Sequence, residues 1–190
     1  MRTTLTADAR NFLERECVRE NQDMVKLAGK LGLLVEFVDL PPDLSGRLVR
    51  DYSAGTKSGF KIEVNKYQTY TRQRYTIAHE MGHFVMDGVA MNRADEHAEM
   101  SMRREPFTGQ EYEARERRAD RFAAECLMPK TAVSECMTGF RGRACDLARV
   151  FGVSESAMRW RLRELGLVLQ SEMISRSLRR TSDPYGLLGL

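Results

Sequence analysis

His79-Glu80-Met81-Gly82-His83 reads H-E-x-x-H, and the rest of the chain is best read outward from it. On a helix, residues four apart lie on one face, one turn apart. Two imidazoles so placed can reach a single zinc ion, with Zn–N bonds of roughly 2.0–2.1 Å. Glu80 then stands beside the ion's open position as a general base for an attacking water, the metalloprotease arrangement. Thr71 is a candidate N-cap and Gly88 a candidate stop for the helix. Ile77, Met81, Phe84 and Val85 form an apolar stripe on one side, which leaves His79 and His83 facing the other way.

The composition suits a soluble globular protein with one sizeable core. The chain has 190 residues, 42% of them hydrophobic and 30% charged. A net charge of +3 does not by itself call for a nucleic-acid partner. No stretch approaches the roughly 20 apolar residues of a membrane span. The first residues lack the apolar segment of a signal peptide, so a cytoplasmic location is expected. Cys17, Cys126, Cys136 and Cys145 are widely spaced, with no C-x-x-C pair, and are expected as reduced thiols.

In order along the chain, residues 7–31 read as one helix ended by Gly32. Leu33 to Val38 reads as a buried strand and Arg47 to Tyr52 as a second strand. Phe60-Lys61-Ile62-Glu63-Val64 alternates apolar and charged residues, which predicts a half-exposed strand. As an edge strand beside the metal helix, it would suit strand addition by an extended peptide. Residues 89–107 read as a polar loop and a candidate lid. His97 reads as a surface histidine, because Met86 and Val89 occupy the positions that a longer three-histidine motif needs.

Thr108 with Glu111 reads as a capping box that opens a second long helix, running to about Leu127. Glu116 and Asp120 share a face of it with Ala119 and Ala123, whose small side chains allow close approach to the first helix. Catalytic zinc takes three protein ligands plus water, so Glu116 is the candidate third ligand. Glu111, Glu113 and Glu125, and Asp87, Glu96 and Glu99 before the helix, remain alternatives by spacing. Asp120 is placed to accept the distal N–H of a liganding histidine. Tyr75 and Tyr112 are candidate donors to a developing oxyanion, although core packing also accounts for them.

Asp146-Leu-Ala-Arg-Val-Phe-Gly-Val-Ser154-Glu-Ser-Ala-Met-Arg-Trp-Arg-Leu-Arg163 reads as helix, turn, helix, the second helix carrying Arg159, Arg161 and Arg163. A DNA-reading role is open to it, but Glu155 leads its N-terminal end, where phosphate would have to approach.

The stretch Arg72 to His83 resembles the zinc motif of ImmA/IrrE-type metallopeptidases, and Glu116-Arg-Arg-Ala-Asp-Arg-Phe-Ala-Ala-Glu-Cys-Leu-Met-Pro129 resembles that family's second signature. Phe60 to Asn65, Phe151 to Ser154 and Arg161 to Gly166 also fit, so the resemblance spans roughly residues 20–167. It implies an α+β, zincin-like metallopeptidase core (residues 1–140) and a small helix-turn-helix-like part (141–168), leaving 169–190 as a flexible tail. It places the zinc ligands on His79, His83 and Glu116 and the catalytic glutamate on Glu80. Asp120 stands where asparagine is usual. The resemblance implies a zinc endopeptidase that cuts an intracellular protein such as a helix-turn-helix repressor. The alternative is a non-cleaving, antitoxin-like or DNA-binding module, with a toxin or an operator as partner.

Overall fold

The computed structural model describes residues 5–18, 21–91, 109–139 and 143–167. Their order is α1 (Ala7–Glu16), α2 (Met24–Lys30), β1 (Leu34–Val38), β2 (Gly46–Arg50), a 3-10 turn (Tyr52–Ala54), β3 (Phe60–Asn65), α3 (Tyr70–Met91), α4 (Gly109–Leu127), α5 (Lys130–Gly139), α6 (Ala144–Phe151) and α7 (Glu155–Glu164). The class is α+β: a small mixed sheet of order β1-β3-β2 against helices. β1 runs parallel to β3, and β2 antiparallel to it.

The core forms between the sheet and the α3–α4 pair. Phe60, Ile62 and Val64 of β3 join Ile77, Ala78 and Met81 of α3 and Phe122, Ala123 and Leu127 of α4 in one cluster. Phe84 meets Phe60 edge-on, with ring centres 5.5 Å apart. Phe12 of α1 stacks on Phe122 at 6.1 Å. Leu147, Phe151, Met158 and Leu162 of α6 and α7 belong to the same cluster. Two buried arginines tie these last helices down. Arg74 donates to the carbonyls of Gly152, Phe151 and Gln22. Arg161, fully buried, donates to Met128 O and pairs with Glu125 and Glu164.

Five expectations are corrected. Leu34–Val38 forms a strand, but a partly exposed one at the sheet edge, with Leu34 and Phe37 exposed, and not a buried one. The single helix over residues 7–31 is two, because Asn21 takes a left-handed φ of 48° and Asp23 caps a fresh start by accepting from Val25 and Lys26 N–H. β3 is neither half-exposed nor an edge: it is central and buried along most of its length. Its charged residues mislead because they are paired within the fold, Lys61 with Glu36, Asp51 and Glu63, and Glu63 with Arg47. The second strand ends at Arg50, with Tyr52 in the 3-10 turn. The motif helix starts at Tyr70 and runs through Gly88 to Met91, which takes in the first residues of the expected 89–107 loop. The rest of that loop, His97, Thr108 and residues 168–190 lie outside the described residues.

The sheet edge that borders α3 is β2. Ser45 O accepts from Asn65 N–H and Asp51 N–H donates to Gly59 O, so the odd positions of β2 turn their backbone groups toward β3. In an antiparallel pair the intervening residues then turn theirs outward. Leu48 is one of these.

Candidate metal centre

α3 presents His79 and His83 one turn apart, their ring centres 4.7 Å apart and nearly perpendicular. α4 supplies Glu116 from across the helix pair. The helices come close at Gly82, between the histidines. A Cβ there would stand 3.1 Å from Phe122 Cβ and 3.2 Å from Ala119 Cα and O.

The three donor groups converge. His79 Nε2 and His83 Nε2 are 3.1 Å apart. Each lies 3.3 Å from an oxygen of Glu116, Oε2 for His79 and Oε1 for His83. Two ligands at zinc-like bond lengths and the tetrahedral angle stand about 3.3 Å apart. The carboxylate straddles the two imidazoles, one oxygen toward each, at separations near that length, and two imidazoles with one carboxylate are a suitable donor set for a divalent cation. Among the described residues, His79, His83 and Glu116 form the one such cluster. The competing carboxylates with described side chains turn elsewhere. Glu113 pairs with Arg117, Glu125 with buried Arg161, and Glu111 is exposed. Glu96 and Glu99, and the side chain of Asp87, lie outside the described residues.

Asp120 Oδ1 lies 3.0 Å from His79 Nδ1, within reach to accept from that nitrogen's N–H and leave Nε2 facing the cluster. The Tyr75 hydroxyl donates to the same Asp120 oxygen. Burial works against protonation of His79, but the carboxylates of Asp120 and Glu116 outweigh it and hold the imidazole up to about 9. Contacts with both histidines hold Glu116 well below the usual carboxylate range. A proton shared in this cluster is what a cation must displace.

Glu80 shares a depression with His79, His83 and Glu116, also lined by Gly46, Arg47, Leu48, Tyr112 and Arg115. Its Oε2 accepts from Leu48 N–H at 3.1 Å, and burial pushes its pKa up, as suits a proton acceptor working near neutrality. Of the two candidate oxyanion donors, Tyr112 lines this depression, and Tyr75 is bonded to Asp120 instead. Gly46, Arg47 and Leu48 were missed from sequence, and so was Arg115. The one sequence signal for Gly46 is the glycine itself. A Cβ there would meet Thr76 Cγ2 at 2.4 Å and Glu63 O at 2.7 Å.

The arginines that make α7 look basic are mostly spent within the fold: Arg161 is buried, and Arg159 pairs with Glu155. Among the described residues, no helix is long and apolar enough to cross a membrane.

Fold and site together define an α+β protein with a two-histidine, one-carboxylate cluster, a candidate metal site, on a pair of packed helices. The family model described as the IrrE N-terminal-like domain, peptidase M78, matches residues 28–163, and the chain belongs to that family. Among solved structures, a Mycobacterium tuberculosis transcriptional regulator is similar, with a TM-score of 0.55 at 20% identity over 82% of this chain. The match spans 45% of that regulator, so this chain corresponds to a little under half of it. No protein of curated function matches.

Proposed function

We propose that the chain is a zinc-dependent endopeptidase with a zincin-like core, acting in the cytoplasm on a specific protein such as a helix-turn-helix repressor. The observation that carries this is the convergence of His79, His83 and Glu116, the two Nε2 atoms 3.1 Å apart and each 3.3 Å from its own oxygen of the carboxylate, beside a half-buried Glu80.

His79, His83 and Glu116 would hold the zinc ion, which would supply Lewis acidity and make water acidic enough to give up a proton near neutrality. The protein's own groups do the rest. Glu80, held by Leu48 N–H, takes the proton of the attacking water and passes it to the leaving amine. Tyr112, at the rim of the same depression, is the candidate donor to the oxyanion. The outward-facing backbone of β2 beside the cluster suits an extended substrate strand, the role first expected of β3. Asp120 fixes the His79 tautomer.

The likeness to a protein named as a transcriptional regulator supports a regulatory setting. A helix-turn-helix repressor or a toxin encoded nearby is the partner class in view. DNA is the weaker partner, because two of the three α7 arginines are engaged within the fold.

The test is co-expression with a helix-turn-helix repressor, taken from beside its gene where one is encoded there. The wild type should cut it at one position, and Glu80→Gln should keep its zinc and cut nothing. Cleavage by Glu80→Gln would refute the mechanism. Binding without cleavage by the zinc-loaded wild type would replace it with the sequestering, antitoxin-like role.

A further inference from the structure

Tyr75 lies on α3 one turn before His79, close enough for their rings to sit 5.9 Å apart. Packing alone would be served as well by phenylalanine. The hydroxyl is what distinguishes it, and its donor goes to Asp120 Oδ1, on the other helix. That oxygen also faces His79 Nδ1 at 3.0 Å. One carboxylate oxygen thus holds the Tyr75 hydroxyl and lies within reach of His79 Nδ1, two groups of α3 four residues apart.

Asp120 needs such a restraint. Its side chain is 51% exposed and borders an open groove with Thr69, Arg72 and Trp160. A carboxylate half in water can rotate and exchange a protein donor for solvent at little cost. Tyr75 is better fixed: it is half-buried, and the Arg72 guanidinium, which itself donates to Ser45 Oγ, stands 5.6 Å from its ring centre.

We propose that Tyr75 is a positioning residue for the metal centre. Its hydroxyl holds Asp120 against rotation into the groove, so that Asp120 stays placed to accept from His79 Nδ1–H and His79 keeps Nε2 toward Glu116 and His83. This deepens the proposed zinc site and rests on it. Tyr75 touches neither substrate nor ion, and all of its effect passes through Asp120.

The experiment measures zinc affinity by competition with a chromophoric chelator, for the wild type, Tyr75→Phe, Asp120→Ala and the double variant. Thermal unfolding of each metal-free protein is recorded alongside. Loss of a partner to a liganding histidine typically weakens metal binding roughly 10–100-fold, which is expected for Asp120→Ala. Tyr75→Phe, one bond further out, should weaken it less, roughly 3–10-fold. The double variant should be no weaker than Asp120→Ala alone, because the hydroxyl then has nothing to hold. The metal-free melting temperature of Tyr75→Phe should stay close to that of the wild type. Unchanged zinc affinity in Tyr75→Phe overturns the proposal, and so does an equal loss with and without Asp120. A wild type that binds no zinc refutes the site itself. Zinc binding that depends on Tyr75 in a chain that cleaves nothing refutes only the peptidase reading.

Discussion

Leu48 N–H, on the outer edge of β2, donates to Glu80 Oε2 on α3 across 3.1 Å. Thirty-two residues separate the two along the chain. The bond fixes the proposed proton acceptor to the strand that flanks the metal cluster, so the position of the carboxylate depends on side-chain length. Glu80→Asp keeps the charge but draws the carboxylate back by about 1.5 Å, one carbon–carbon bond. Its turnover should fall about 100-fold or more, within the range for loss of a placed general base. Zinc affinity should change by no more than a few-fold, since Glu80 is not a ligand. Steady-state kinetics paired with metal titration reads both.

Gly82 sets how closely α3 and α4 approach. The new methyl of Gly82→Ala would press on Ala119 backbone atoms at 3.2 Å, and a helix backbone cannot step aside as a side-chain tip can. The expected cost is about 1–3 kcal/mol of stability, as for overpacking elsewhere. Zinc affinity should fall as well, because the same displacement moves Glu116 from the histidines. Denaturant unfolding with and without a chelator separates the two effects.

The motif helix was legible in sequence because its chemistry is local: two histidines one turn apart, with Ile77 and Met81 marking the opposite, buried face. Glu116 was the candidate because it shares a helix face with Asp120 and the small Ala119 and Ala123, but spacing left several other carboxylates open as alternatives, and the signature resemblance favoured it as well. The fold-level misreadings share a cause. Lys61 and Glu63 look solvent-facing in a one-dimensional pattern, yet their ion pairs with Glu36, Asp51 and Arg47 let β3 lie in the centre of the sheet. The polar run at Asn21-Gln22-Asp23 was the one sequence sign of a helix break, and the left-handed backbone at Asn21 leaves no mark in the periodicity. Leu48 was invisible because its contribution is a backbone N–H, which carries no residue signature.

Zinc and protons compete at His79. Its imidazole is held up to about 9 by Asp120 and Glu116 against burial, so at pH 7 a proton must leave when a cation enters. Apparent zinc affinity should rise with pH and level off above about 9. Titration calorimetry in buffers of different ionisation enthalpy should show proton release that fades over the same range. Stability of the chelated protein has the opposite sign. A folded pKa above the unfolded value of about 6.5 gives His79 a stabilising contribution that is complete below pH 6.5 and lost as pH rises through 9. Melting temperatures with and without a chelator check this. Zinc affinity that is flat from pH 6.5 to 9 would contradict it.

Arg161 anchors α7 to the end of α4. Arg161→Leu would leave Met128 O without its guanidinium donor and Glu125 without its buried partner. Breaking a buried pair costs about 3–5 kcal/mol, and because Glu125 retains some solvent access, about 2–4 kcal/mol is expected. Arg159→Ala, which loses only an exposed pair with Glu155, should change stability by less than about 1 kcal/mol. Chemical denaturation of the two variants gives the comparison.

The most direct measurement is anomalous diffraction at the zinc absorption edge from crystals of the zinc-loaded protein. One zinc peak per chain is predicted, within about 2.0–2.2 Å of His79 Nε2, His83 Nε2 and a Glu116 oxygen. A peak elsewhere, or one at the histidines with Glu116 turned away and another protein group in its place, would contradict the account.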